Sequence, residues 1–480
     1  QIRLGEPSRR DIVPVGRTST KWVAVEERTD NYLIEKGICP PDSARHEIPV
    51  RRLVWPDEPA AKLTHQLFRY PAKFHPPVVR RLIEMFSQNG DLVADPFCGS
   101  GTALVEAATL GRHVAGSDID PLAVFVARAK TTRVVHRELE SATKRLLAVV
   151  QANRRPEGEY QHLQFEDISS VEMEAAIAIE DLPVPNLPRI THWFRRYVIV
   201  DLARIRQAIL AIRCRPNVRR YLLLAFASII RNSSNADPVP VSGLEYTAHM
   251  KRRDELGRLV NPYALLERSL ANILEGSGAF STNCSREIKI DVRQGDARRT
   301  RRGLRGKCDL VVTSPPYYNA VDYYRRHLLE MFWLGLTVTD EQRLSLLPHY
   351  IGRKTVRVAA RGGGAKPPGP ISRGVVSRME TVSPSTARSF RHYLSAMRES
   401  MFAISGSMRA GGCLALVMGT NRWRGEQLPV LESIQECAPP ELVLREVHWY
   451  PLKNRYMSYA RNHDADIAEE HVLIFLRSNT

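Results

Sequence analysis

Two short segments hold residues whose types and spacing could do chemistry. Thr313-Ser-Pro-Pro-Tyr317 closes the apolar run Asp309-Leu-Val-Val-Thr313. It therefore falls at the carboxyl end of an expected strand, where open α/β sheets place ligands. The prolines Pro315 and Pro316 fix the backbone and turn carbonyls towards a cavity. Ser314 offers a hydroxyl, and Tyr317 a flat ring on which a base can stack. A Pro-Pro-Tyr sequence can also serve as a ligand for small adaptor domains, but that use suits an exposed disordered segment rather than a strand end. The second segment, Asp95-Pro-Phe-Cys-Gly-Ser-Gly-Thr102, sits where a strand hands over to a helix. Gly99 and Gly101 let the backbone approach a ligand closely, and the helix N-terminus presents free N–H groups. A dinucleotide fingerprint would need glycine where Leu104 stands, and the Gly-Lys-Ser/Thr of a phosphate loop is absent. Asp118 ends the next expected strand, near the spacing at which a carboxylate takes ribose hydroxyls, with Asp120 a competitor for that role. Gly295-Asp-Ala297 follows a third strand and could reach an adenine edge.

The elements that must position these residues can be read from periodicity. Pro76 and Pro77 suit a helix start, and Val79, Leu82, Ile83 and Phe86 share one face, with Gly90 as the stop. Asp91–Asp95 reads as a buried strand, Thr102–Leu110 as a helix, His113–Asp118 as a strand, and Pro121 opens a further helix. That alternation predicts a parallel α/β sheet. It stops near Thr132 and resumes with Glu287–Val292 and Asp309–Thr313, so a large helical insertion is expected between. Within it Leu202, Ile205, Ile209 and Ile212 form an apolar stripe, with Arg195, Arg196, Arg204, Arg206 and Arg213 elsewhere. A second interruption runs from Val338 to Ser385. Its stretch Ile351–Arg378 carries Arg353, Lys354, Arg357, Arg361, Lys366, Arg373 and Arg378 without one acidic residue, and Gly362–Pro370 within it excludes regular structure. Late strands are expected at Cys413–Met418, Leu442–Val447 and His471–Leu476, the last two as a hairpin at the sheet edge, while Trp22–Val25 could be a strand in the N-terminal arm. The expected organisation is an N-terminal extension (1–60), core (61–135), helical insertion and candidate DNA or target-recognition region (136–285), core with the Ser-Pro-Pro-Tyr loop (286–337), basic flexible loop (338–385) and core with late strands (386–480).

Composition narrows the partner. The 480 residues include 69 Lys plus Arg against 52 Asp plus Glu, a net charge of +17. That favours a polyanion such as nucleic acid. The longest apolar run, Tyr221–Ile230, is about half the roughly 20 residues a bilayer span requires. The opening Gln1-Ile-Arg-Leu-Gly5 runs into charge and proline rather than a signal-peptide core, and the seven scattered cysteines form no C-x-x-C pair. A cytoplasmic protein without a structural metal is expected.

Together the motifs resemble the amino-group DNA methyltransferases, which methylate cytosine N4 or adenine N6 from S-adenosylmethionine. The likeness covers roughly half of the chain, in pieces, and leaves the extension and both insertions unexplained. Asp95–Thr102 looks like that family's cofactor loop and Ser314-Pro-Pro-Tyr317 like its catalytic loop. Tyr70-Pro-Ala-Lys-Phe-His-Pro76 resembles the segment closing over the methionine end of the cofactor; Gly419-Thr-Asn-Arg422 and Glu470–Phe475 are similar to its late strands. The resemblance implies a Rossmann-like methyltransferase sheet with a late antiparallel hairpin. It implies S-adenosylmethionine held by Tyr70, Lys73, Asp95, Pro96, Phe97, Gly99, Gly101, Thr102, Asp118, Ile119, Asp296 and Ala297, and catalysis by Ser314, Pro315, Pro316 and Tyr317. The cofactor segment precedes the catalytic loop, unlike the permuted members, and the large insertion between the second and third strands is also unusual, so the usual place of target recognition does not carry over. Cytosine C5 methylation needs a cysteine nucleophile in a Pro-Cys loop, and no Pro-Cys dipeptide occurs. The expected substrate is duplex DNA with a flipped base, cytosine N4 preferred because Ser rather than Asp or Asn precedes Pro-Pro-Tyr. Adenine N6, then a base-amine RNA methyltransferase, then a catalytically silent nucleic-acid-binding subunit are the alternatives. A restriction or defence-system protein is a candidate partner.

Overall fold

Leu92–Asp95 and Cys308–Thr313 are short apolar runs buried along most of their length, as strands covered on both faces must be. They lie side by side within an eight-stranded sheet in the computed structural model, which describes residues 48–55, 63–238, 244–318, 323–352, 366–452 and 469–478. In chain order the strands are β1 (Val50–Arg52), β2 (Leu92–Asp95), β3 (His113–Asp118), β4 (Ile290–Gln294), β5 (Cys308–Thr313), β6 (Met408–Gly419), β7 (Leu442–Pro451) and β8 (Glu469–Arg477). Their order across the sheet is β1-β7-β8-β6-β5-β2-β3-β4. Every pairing is parallel except the two that β8 makes with β6 and β7. The strand order reverses at β2, which has β3 on one side and β5 on the other. Such a switch point leaves a crevice at the strands' carboxyl ends. The architecture is the expected Rossmann-like α/β sheet.

Helices flank the crevice for local reasons. α1 (Pro76–Phe86) starts with proline at its first turn and buries Val78, Val79, Leu82 and Ile83. α2 (Thr102–Thr109) is almost wholly buried behind the glycine loop. α3 (Pro121–Lys130) is capped by Asp120, whose carboxylate accepts from the Leu122 and Ala123 N–H groups.

The segment between β3 and β4 is helical, its longest members being α4 (His136–Ala152), α5 (Arg196–Ala211), α6 (Pro216–Ser233) and α7 (Pro262–Asn283). Its stripe Leu202, Ile205, Ile209 and Ile212 is buried. It packs into one core with Leu122, Val126 and Ala129 of α3 and with Leu329–Trp333. Trp333 meets Phe194 and Phe226 edge-on, at ring separations of 5.8 and 6.1 Å. Several arginines of this region hold it together: Arg195 pairs with Asp254 at 3.1 Å and Arg204 with Glu180.

Two expectations change. The late hairpin β7–β8 is not at the sheet edge, because Val50–Arg52 of the supposed extension pairs in parallel with Val447–Trp449 and covers it. Three residues are too few to betray a strand by periodicity. The Val338–Ser385 interruption is not one flexible loop: Asp340–Leu346 is helical, and α8 (Pro370–Val382) buries Ser372, Val375, Val376 and Met379. Its apolar residues outweigh Gly374, and Pro370 sits at its first turn, where proline favours rather than breaks a helix. α9 (Pro384–Ser407) then leads into β6. The basic residues Arg353, Lys354, Arg357 and Arg361, and Trp22–Val25, lie outside the described residues. No helix among the described residues is long and apolar enough to cross a membrane.

Candidate functional site

At the end of β2 the buried Asp95 carboxylate accepts from the Phe97 N–H at 3.1 Å and from Thr313 Oγ1 at 2.6 Å. This ties the glycine loop to the end of β5, immediately before Ser314. Burial is the main cause that pushes the Asp95 carboxyl up to about 7, against the two hydrogen bonds and with the help of the Asp118 charge. The loop is then threaded by backbone: Cys98 N–H donates to the Ser117 carbonyl, and Gly99 N–H to Asp118 Oδ2 at 2.8 Å. Gly99 has φ +47, and a Cβ there would lie 3.2 Å from the Tyr70 ring. Gly101 has φ +78, and a Cβ would meet Ala127 of α3 at 2.9 Å. Only glycine allows α2 to start this close to α3.

The two acidic side chains after β3 divide their work. Asp118 accepts from Gly99 N–H and from Asp120 N–H at 2.9 Å, and burial followed by the Asp120 charge pushes its carboxyl up to about 6. Asp120 caps α3 through Oδ1 and meets His327 Nδ1 at 2.6 Å through Oδ2. Its carboxyl lies below the usual range, because the His327 contact and the cap outweigh burial, the largest single influence. The His327 ring also packs on Tyr70, which stacks on Tyr323 at 5.9 Å and 23°.

These groups surround one cleft. Tyr70, Lys73, Asp95, Pro96, Phe97 and Gly99 line it. Thr102, Asp118, Ile119, Asp296 and Ala297 complete the expected cofactor set along its wall, and Ser314 and Pro316 close the side nearest β5. Gly101, Pro315 and Tyr317 are not on that wall. Gly101 faces α3, and Tyr317 instead donates its phenol to Glu470 Oε1 at 2.8 Å. Asp296 is engaged by Arg298 through both carboxylate oxygens and lies 3.4 Å from His349 Nδ1. The Arg298 contacts keep its carboxyl low in spite of burial. Lys73 Nζ donates to the His65 carbonyl at 3.0 Å, and burial lowers its pKa.

Asp120, Tyr323, His349 and Tyr350 also line the cleft and fall outside the residues expected from sequence, where Asp120 enters only as a competitor for the ribose. Tyr323 and His327, four residues apart just after the Ser-Pro-Pro-Tyr loop, carried a helical spacing that could have signalled a shared face. Ala72, in the Tyr70–Pro76 segment, has φ 46, a strained value that marks a built turn against the loop. A chain of net charge +17 thus gathers four carboxylates, those of Asp95, Asp118, Asp120 and Asp296, around one cleft with Lys73. That chemistry suits a small molecule carrying positive charge together with hydroxyls and an aromatic base. Among the described residues no group of His, Cys, Asp and Glu could hold a metal ion.

Similarity to known proteins extends over part of the chain. A family model described as DNA methylase, of N6/N4 methyltransferases, matches residues 27–128, which include the glycine loop and Asp118. Type II methyltransferase M.MvaI of Kocuria varians is 28% identical over 316 residues, 61% of this chain and 63% of that one. Type II methyltransferase M.BsoBI of Geobacillus stearothermophilus is 24% identical over 285 residues, 58% of this chain and 54% of that one. A tRNA (guanine(10)-N2)-dimethyltransferase of Methanothermobacter thermautotrophicus is 41% identical over 54 residues, 11% of this chain and 16% of that one. The chain spans less than two thirds of the length of each of these relatives.

Proposed function

We propose that this chain, which is similar to the amino-group DNA methylases, uses S-adenosylmethionine to methylate the exocyclic amine of a base flipped out of duplex DNA. The observation that carries this reading is the position of Ser314, on the wall of the same cleft as Asp95 and Asp118. The donor set fits the cofactor. Asp118 would take the ribose hydroxyls, Asp296 and Ala297 the adenine, and the carboxylates around Asp95 its cationic end, with Tyr70 and Lys73 closing over it. When bound, S-adenosylmethionine supplies an electrophilic methyl group on sulfur.

The chain's own residues do the rest. An exocyclic amine is a weak nucleophile because its lone pair is delocalised into the ring. Ser314 Oγ and the Pro315 carbonyl would accept its N–H groups, holding the nitrogen in line and enriching it in electrons. Tyr317 would stack against the extruded base. No covalent intermediate with the protein is required.

Cytosine N4 is the product we propose, with adenine N6 as the alternative. Ser314 is the argument: in the enzymes this chain resembles, serine before Pro-Pro-Tyr goes more often with cytosine and Asp or Asn with adenine. The proposal includes a cytoplasmic location and a restriction or defence-system protein as a candidate partner. The test is methyl transfer from labelled cofactor to duplex DNA, single-stranded DNA and tRNA, followed by nucleoside mass spectrometry. N4-methylcytosine is expected; N6-methyladenine alone would reassign the base, and transfer confined to tRNA would reject DNA as substrate. Ser314→Ala should lower kcat far more than cofactor affinity, because its contact strengthens as the amine attacks.

A further inference from the structure

Glu470 has no role in the reading above. It stands on β8 opposite Tyr450 of β7 and Gly419 of β6. Its carboxylate accepts from two phenols, Tyr317 through Oε1 at 2.8 Å and Tyr450 through Oε2. Tyr317 Oη in turn accepts from Ser314 Oγ at 3.4 Å. Resting on the methyl-transfer reading, we propose that Glu470 is a positioning residue: acting through Tyr317, it fixes the direction in which the Ser314 hydroxyl donates.

The argument is one of proton direction. A hydroxyl has one proton to give and two lone pairs to offer, whereas an ionised carboxylate only accepts. The Tyr317 proton is therefore committed to Glu470, and towards Ser314 the phenol can only accept. Ser314 spends its proton on Tyr317, which leaves its lone pairs for the amine N–H of the substrate. Without an anion at the far end the row could reverse, and Ser314 would then point a proton at the group it must receive. Successive hydrogen bonds also polarise one another, so Ser314 gains from a distance the negative end that a carboxylate at its own position would supply directly. Tyr450 holds the second oxygen, and Trp55 packs edge-on to Tyr450 at 5.8 Å. The groups that bear on the Glu470 charge among the described residues are these two phenols, and β6 offers only Gly419 at the paired position. Burial raises its pKa and the phenols oppose that rise.

The test compares Glu470→Gln, Tyr317→Phe and the double variant. Each single change is expected to lower kcat about 10–100-fold, as for other groups that orient a ligating residue from behind. Calorimetric affinity for S-adenosylmethionine should stay within about twofold, since neither side chain lines the cofactor cleft. The double variant should be no worse than the poorer single, because both changes break one unit. Wild-type turnover should fall as pH drops through the raised Glu470 pKa, and Glu470→Gln should lack that acid limb. Wild-type kcat in Glu470→Gln, or losses that multiply in the double, would overturn the proposal. If the wild-type protein methylates no nucleic acid, the methyl-transfer reading fails on its own, and infrared titration of the Glu470 carboxyl, assigned by difference against Glu470→Gln, then decides the relay. A midpoint raised further by Tyr317→Phe supports it, and an unmoved midpoint rejects it.

Discussion

Asp118 and Asp120 are two positions apart, yet removing each carboxylate should fail in a different way. Asp118→Ala removes the group proposed for the ribose and is expected to weaken cofactor binding by about 1–3 kcal/mol, the loss of a hydrogen bond to a charged acceptor. Asp120→Ala removes a helix cap and leaves His327 without its buried partner, so it should lower unfolding free energy by about 1–3 kcal/mol in urea titrations. Calorimetry and denaturation together separate the two; unchanged affinity in Asp118→Ala would move the ribose role to Asp120 or elsewhere. The same cluster predicts a pH dependence. Asp95 and Asp118 are pushed up from 3.8 to about 7 and about 6. A carboxyl whose pKa is raised by folding stabilises the fold most below 3.8, and that contribution is lost as pH climbs through the raised values. The cofactor-free protein should therefore lose stability between those limits as pH rises. A cationic ligand favours the ionised forms, so its binding should release protons and weaken as pH falls through about 7 and about 6. Titration in buffers of different ionisation enthalpy measures the released protons directly.

At the scale of elements, the legible parts of the fold were the local ones. The strand, glycine turn and helix around Asp95–Thr102 could be read because the apolar run, the two glycines and the following helix lie within a few residues of one another. Nothing local announces that Val50–Arg52 pairs with β7, or that Tyr317 meets Glu470 across 153 positions. For Gly101 the residue was legible but its role was not, because a glycine admitted for ligand approach and one admitted for helix packing look alike in sequence. The structure favours packing, and Gly101→Ala should destabilise the protein by about 1–3 kcal/mol through its positive φ and the Ala127 overlap. Cofactor affinity, measured where the variant is fully folded, should change little. α8 is masked in sequence by the glycine-rich run before it, although Val375, Val376 and Met379 mark one buried face.

At the scale of the molecule, a net charge of +17 suits the DNA substrate proposed above. The sequence places seven basic and no acidic residues between Ile351 and Arg378, and Arg373 and Arg378 stand on the exposed side of α8. Neutralising four of these seven should flatten the log–log salt dependence of DNA binding by about 3–4 units if all four touch phosphate. An unaltered slope would transfer the contact to the helical insertion. That insertion raises a separate matter of heredity and engineering. Its core is continuous with α3, which starts at the capping Asp120, and with Leu329–Trp333, which follow the Ser-Pro-Pro-Tyr loop. An insertion joined by a linker could be exchanged whole between relatives; this one could not, because any graft would cut through its packing on Leu122, Val126 and Trp333 and expose the back of the proposed cofactor cleft. Its surface can thus vary piecemeal while its core cannot, and chimaeras made by swapping the whole insertion should fail to fold, as a loss of the cooperative thermal transition would show.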